Sequence, residues 1–249
     1  MNRTFLFSVI LLGLISCTSK EEPIQKGEDK SIVEISDIYE NYKSETQEEI
    51  GFVYNILAGK GSRSNELEPV YGEDLIHLII SLPDETIDSL YNQYFSSQTE
   101  QTMDSIYDAS VDELLKQSSA EEIQQLYQFT NLYIENGGHN MEMLANAIKD
   151  KTPIVQNCMI CCAANIDEYI LTTTLSRTND EYCLRQLTTK MAESAVQSGI
   201  MDIAGGAAVA LIAAPGADVV IPLFLMGYDL YSAIKVAHEY NRCVATHIS

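Results

Sequence analysis

A run of fifteen residues, Ile203 to Ala217, carries no ionisable side chain, in a chain whose formal net charge is −21. The wider stretch from Ala192 to Tyr228 holds only Glu193, Asp202, Asp218 and the phenol of Tyr228. Such a segment must be removed from water, and this fixes much of what the rest of the chain has to do. Ser198, Asp202, Gly206, Ala210 and Ala214 recur every four residues and place small groups on one face of a helix. Small faces let helices approach closely. Pro215-Gly216 breaks the pattern, Asp218 is placed to cap a second helix, and Pro222 lies near its first turn. The expected product is an apolar helical hairpin, roughly 192–214 and 219–242. A helix of about 20 residues spans about 30 Å, near the thickness of a bilayer core. The hairpin is therefore expected either to be buried in a helical domain or to be sheltered there before inserting into a membrane. The Gly and Ala content, two prolines and Asp218 weigh against insertion.

The charge around this stretch is unevenly distributed. Residues 18–151 hold 27 Asp and Glu against 9 Lys and Arg, and residues 152–249 hold 9 against 5. All five cysteines after Cys17 also lie in the second part. The expected division is an acidic helical domain over 32–151 and a cysteine-bearing, Gly/Ala-rich apolar helical module over 152–249. The acidic balance excludes nucleic acid as a partner, because phosphates repel such a chain.

The acidic part reads as helix throughout. Ile32, Val33, Ile35, Ile38 and Tyr39 follow 3.6-residue spacing, as do Ile50, Val53, Tyr54 and Leu57. Ser81 with Asp84, Ser110 with Glu113 and Ser119 with Glu122 have capping-box spacing. They predict helices near 82–97, 111–117 and 120–135, the last ended by Gly137-Gly138. His77, inside the apolar run Leu75 to Ile80, is expected to pack in a core or interface. No strand pattern appears, so the predicted fold class is all-α.

Cys158, Cys161, Cys162, Cys183 and Cys243 follow the helix start expected at Thr152-Pro153. In an exported protein they read as disulfide partners, two bridges and one remaining thiol, with the pairing open. A bridge from the 158–162 group to Cys243 would tie the ends of the module together. Zinc is disfavoured because Cys158 and Cys161 lack a second ligand pair at the usual spacing. No metal, cofactor or catalytic constellation stands out, and an enzyme is not expected.

The N-terminus gives an address. Asn2-Arg3, the apolar run Phe5 to Leu14 and Leu14-Ile15-Ser16-Cys17 describe a secretory signal over 1–16. The cysteine after the cut resembles that of bacterial lipoproteins, which is lipidated and becomes the mature N-terminus. Residues 17–31 then form a lipidated, polar tether. Lys20-Glu21-Glu22 resembles the export signal of surface lipoproteins of Bacteroidota. The expected location is the outer membrane, exposed at the cell surface, with release possible after cleavage.

Lys60-Gly61-Ser62-Arg63-Ser64-Asn65 reads as an exposed loop. The chain has only five arginines: Arg3, Arg63, Arg177, Arg185 and Arg242. Arg63 and Arg177 are the candidate sites for an arginine-specific protease. The whole arrangement of lipoprotein signal, acidic helical segment, arginine-bearing loop and cysteine-bearing apolar module resembles the proteolytically activated antibacterial toxin lipoproteins of gut Bacteroidales. It is similar in plan to bacteriocins. The resemblance implies an acidic segment that keeps the apolar module inactive and a cut after arginine that releases it. Arg177 lies between Cys162 and Cys183, so a bridge spanning it would hold the halves together after cutting. The resemblance also implies a receptor on the target's outer surface, a glycan or an outer-membrane protein, with the target envelope or membrane as the site of action. The alternative is a non-toxic surface lipoprotein with a binding, immunity or envelope-assembly role.

Overall fold

A computed structural model of the chain describes residues 32–59, 69–94, 97–169, 181–212 and 220–247. Every regular element among them is an α-helix, as the periodicity predicts. In chain order they are α1 (Ile32–Leu57), α2 (Gly72–Ser81), α3 (Asp84–Tyr94), α4 (Ser97–Gln117), α5 (Ala120–Glu135), α6 (Met141–Ile148), α7 (Pro153–Tyr169), α8 (Glu181–Ile212) and α9 (Val220–His247).

The centre of the fold is α7. All but three of its residues are buried, and its apolar and small residues run right round the helix. A helix without a polar face needs neighbours on every side. Here α8, α1, α5, α6 and α2 supply them. Small side chains allow a close approach: a β-carbon on Gly199 of α8 would sit 3.1 Å from the sulfur of Cys162 on α7. Helix α9 lies along α8 and is held on its other sides by α3, α1 and α2, while α4 packs along α8.

Two hydrophobic cores result. The first gathers Ile35 and Tyr39 of α1 and Leu114 of α4. Leu126 and Tyr133 of α5, Leu144 of α6, and Met159 and Ile160 of α7 complete it, with Ile200 of α8. The second joins Ile50 and Val53 of α1, Leu75, Ile76 and Ile79 of α2, and Ile87 of α3. Tyr169 of α7, Leu187 of α8 and Ile234 of α9 close it. Both cores draw residues from each side of position 151. The change in composition there is thus not a boundary in packing. The acidic helices are charged on the faces they turn to water, and their apolar faces cover the cysteine-bearing helices.

Local signals divide by whether tertiary contacts overrule them. The Ser119 box forms as predicted: Glu122 N donates to Ser119 Oγ at 3.2 Å, and Ser119 N donates to Glu122 Oε2 at 3.0 Å. Gly137 and Gly138, at φ of 80° and 64°, end α5, and Pro153 opens α7. Ser110 is not a cap. It lies inside the continuous helix α4, fully buried, and its hydroxyl donates to Ile106 O at 2.8 Å. Ser81 is the last residue of α2, donating to Leu78 O at 2.7 Å, and α3 begins instead behind Pro83. His77 is on the outer face of α2, 3.7 Å from Glu73, because Leu75, Ile76 and Ile79 already fill the inner face.

Candidate functional site

The seam between the two cores is polar. On α1, Thr46 and Glu49 fall between Tyr39 of the first core and Val53 of the second. Thr46 donates to Asn165 Oδ1 of α7 at 2.5 Å and to Tyr42 O at 2.8 Å. Asn165 passes the contact on to α8 through its amide, 3.4 Å from Ala195 O. Ser198 of α8 donates to Asp229 Oδ1 of α9 at 2.7 Å. Asp229 Oδ2 is buried and completes no hydrogen bond, although the carboxyl of Glu49 lies within reach of this side chain. These residues, with Tyr169, Ser194 and Ser232, surround a cavity of about 20 Å³, room for about one water molecule.

Two carboxyls from two helices, Glu49 and Asp229, line this cavity, and the charge of Asp229 acts on a third, Asp202 of α8. Burial pushes the Asp229 carboxyl up to about 6, against the lowering effect of the Ser198 hydroxyl and of the neighbouring Glu49 carboxyl. Asp202 is raised well above the ordinary carboxylate value, first by burial and then by the charge of Asp229. The groups acting on these two aspartates are carboxyls, a hydroxyl, an amide and a thiol, with no cation among them. The arrangement can hold and release protons. Among the described residues, no group of three or more His, Cys, Asp or Glu side chains is placed to hold a metal ion.

A second buried carboxylate is saturated with donors. Asp167 Oδ2 accepts from Tyr39 Oη of α1 at 2.5 Å and from Tyr133 Oη of α5 at 2.8 Å. Its Oδ1 accepts from the backbone N of His139 at 2.7 Å, and the His139 imidazole is 3.6 Å away. Burial, and then the Asp167 hydrogen bond, drive the Tyr39 phenol far above its ordinary value, so it remains a donor. Beside it, Glu168 accepts from Gln47 Nε2 at 3.0 Å and faces Lys43 at 3.8 Å. These groups pin α1, α5 and the α5–α6 turn to α7.

The cysteines divide differently from the expectation of two bridges. Cys183 and Cys243 are joined, linking the first turn of α8 to the last part of α9 across 60 residues of sequence. Cys158, Cys161 and Cys162 are free thiols buried on α7. Neither the bridge from this group to Cys243 nor any bridge spanning Arg177 forms. Cys183 is taken up by Cys243, and the sulfur of Cys162 faces Val196 O at 3.6 Å. Burial raises all three free thiols well above the ordinary value, which keeps them protonated and unreactive.

Several sequence-predicted residues lie outside the described residues: Cys17, Arg63, Arg177, Ala214, Pro215, Gly216 and Asp218. Gly206 and Ala210 are within α8. Of the small-residue face, Ser198 and Asp202 reach the polar seam, so that part of the face serves hydrogen bonding as well as close packing. The hairpin exists as α8 and α9, longer than expected at the start of the first helix and at the end of the second. No helix among the described residues is long and apolar enough to cross a membrane. Thr46, Glu49, Asn165, Asp229 and Ser232 were not singled out by sequence. Their one signal is polar residues at helical spacing in otherwise apolar helices, such as Asp229 and Ser232, three apart on α9.

Comparison with protein-family models, with curated proteins and with solved structures gave no match.

Proposed function

We propose that this chain is the precursor of an antibacterial toxin. In this reading it is exported, tethered to the outer membrane through lipidated Cys17 and displayed at the cell surface. An arginine-specific protease activates it, and it acts on the envelope of related bacteria after engaging a glycan or an outer-membrane protein there. One observation carries the reading. The Cys183–Cys243 bond closes the α8–α9 hairpin into a loop that contains neither Arg63 nor Arg177. A cut at either arginine leaves this hairpin covalently whole, and it frees the hairpin from the tether without breaking its closure.

The surrounding helices fit the role of a jacket. Helices α1, α2, α3, α4 and α7 cover the hairpin, and α1 to α4 lie within the acidic part that would be cut away or loosened. Their charge keeps a concealed apolar hairpin soluble until it is exposed. The effector in this proposal is the disulfide-closed hairpin as a unit rather than a single spanning helix.

The test uses purified residues 18–249, intact or treated with an arginine-specific protease, added to related bacteria. Killing by the cut protein alone is the expected result. Absence of killing in both states overturns the toxin reading. Full activity in both Arg63→Ala and Arg177→Ala overturns activation at these sites.

A further inference from the structure

The polar seam has a consequence for how α9 is held. Glu49 comes from α1, Asp202 from α8 and Asp229 from α9, so the contact of Asp229 with Glu49 and its charge repulsion of Asp202 both act between helices. Asp229 Oδ2 is buried without a completed hydrogen bond beside the cavity. A carboxylate in that position lacks a donor, whereas a carboxylic acid brings its own proton to a neighbouring carboxylate. Protonation thus turns a repulsive contact between helices into a hydrogen-bonded one.

We propose that Glu49, Asp202 and Asp229 form a proton-operated latch holding α9 to α1 and α8, closed while the carboxyls share protons and loosened when all are ionised. The groups facing the latch come from α1, α7 and α8, with one more beside it on α4. From α1 these are Glu45 and Glu49, and from α7 Cys161, Glu168 and Tyr169. From α8 they are Ser198 and Asp202. Asp104 of α4 faces Tyr228, the neighbour of Asp229 on α9. The contacts of α3 with α9 lie at the far end of that helix, where Asp88 meets His238 at 3.2 Å and Asp84 meets Asn241 at 2.7 Å. Lys235, on α9 itself, sits over the ring of Tyr231.

The sign follows from linkage. Asp229 takes up its proton more readily in the folded chain than when α9 has opened, its value moving from 3.8 to about 6. The folded state binds the extra proton between these values, so the hold on α9 is full below about pH 4 and weakens as pH rises toward 6. Asp202, raised by burial and then by the charge of Asp229, adds a loss of the same sign as pH rises.

Amide hydrogen exchange on residues 18–249, expressed as protection factors to remove the intrinsic pH effect, reads the latch directly. From pH 4.5 to 7.5, protection over 228–237 in α9 should fall by about tenfold or more, since one unit of displaced pKa is a factor of ten. Protection over 123–133 in α5 should change less than about threefold. Asp229→Asn should remove most of the fall in α9. Protection in α9 that does not fall overturns the latch. So does an equal fall in α5, which would reflect general repulsion in an acidic chain, or an unchanged fall in Asp229→Asn. Should that variant not fold, Asp202→Asn and the two wild-type segments decide the matter. The readout needs no target cell and stands apart from the toxin reading.

Discussion

The backbone oxygen of Glu168 occupies the place where a β-carbon on Gly72 would go, 1.9 Å from it. The first residue of α2 thus rests on the last turn of α7, and only glycine permits the contact. Gly72→Ala must push the two helices apart, opening the second core around Leu75 and Ile76. The expected cost is about 3 kcal/mol, the upper part of what overpacking brings. Urea unfolding measures it, and a loss below about 0.5 kcal/mol would mean that α2 does not seat on α7 in this way.

Asp167 gathers Tyr39, Tyr133 and the His139 amide on one buried carboxylate. Asp167→Ala leaves three donors without their acceptor and should cost about 3 kcal/mol or more. Tyr39→Phe removes one donor and should cost about 1 to 2 kcal/mol. Equal losses for the two substitutions, followed by urea unfolding, would contradict the role of Asp167 as the common acceptor.

The Cys183–Cys243 bond closes a loop of 60 residues. On the chain-entropy view its removal by Cys183→Ser with Cys243→Ser should cost about 4 kcal/mol. Thiol counting gives an independent check. The folded protein lacking Cys17 should offer no fast-reacting thiol, and in denaturant without reductant it should offer the three on α7. One thiol in denaturant would mean that two of Cys158, Cys161 and Cys162 are paired.

Below the latch window the balance turns. Burial tends to raise Glu122, but hydrogen bonds from Thr152 and Ser119 hold its carboxyl below the ordinary value. A lowered carboxyl stabilises above its unfolded value and loses that contribution as pH falls through the folded one. Ser119→Ala should cost about 1 kcal/mol at pH 6 and less at pH 3, because proton uptake by Glu122 in acid weakens the bonds that Ser119 makes to its carboxyl. Thermal unfolding at the two pH values shows this, and a cost independent of pH would contradict it.

What the sequence discloses depends on how local the physics is. The Ser119 box, the Gly137-Gly138 stop and the Pro153 start involve residues within one turn of each other, and all were readable. Ser110 had the same spacing to Glu113, but a hydroxyl inside a buried helix can satisfy itself on Ile106 O, and helix α4 runs through. The drop in charge after position 151 marks which helices face water and does not mark where packing stops. Cysteine pairing was unreadable because α8 and α9 must first align before Cys183 can find Cys243. Of the polar seam, Ser198 and Asp202 stood out in the sequence only as small groups four apart on an apolar helix. Its partners Glu49 and Asp229 look like ordinary surface acids until α1 and α9 are brought together.

The central claim is that the hairpin acts only once freed from its jacket, and dye release from related bacteria tests it most directly. Residues 18–249, matched in concentration before and after arginine-specific cleavage, are added to dye-loaded cells. Release by the cleaved protein and none by the intact protein is the predicted result. Equal release by both, or none by either, would contradict the claim.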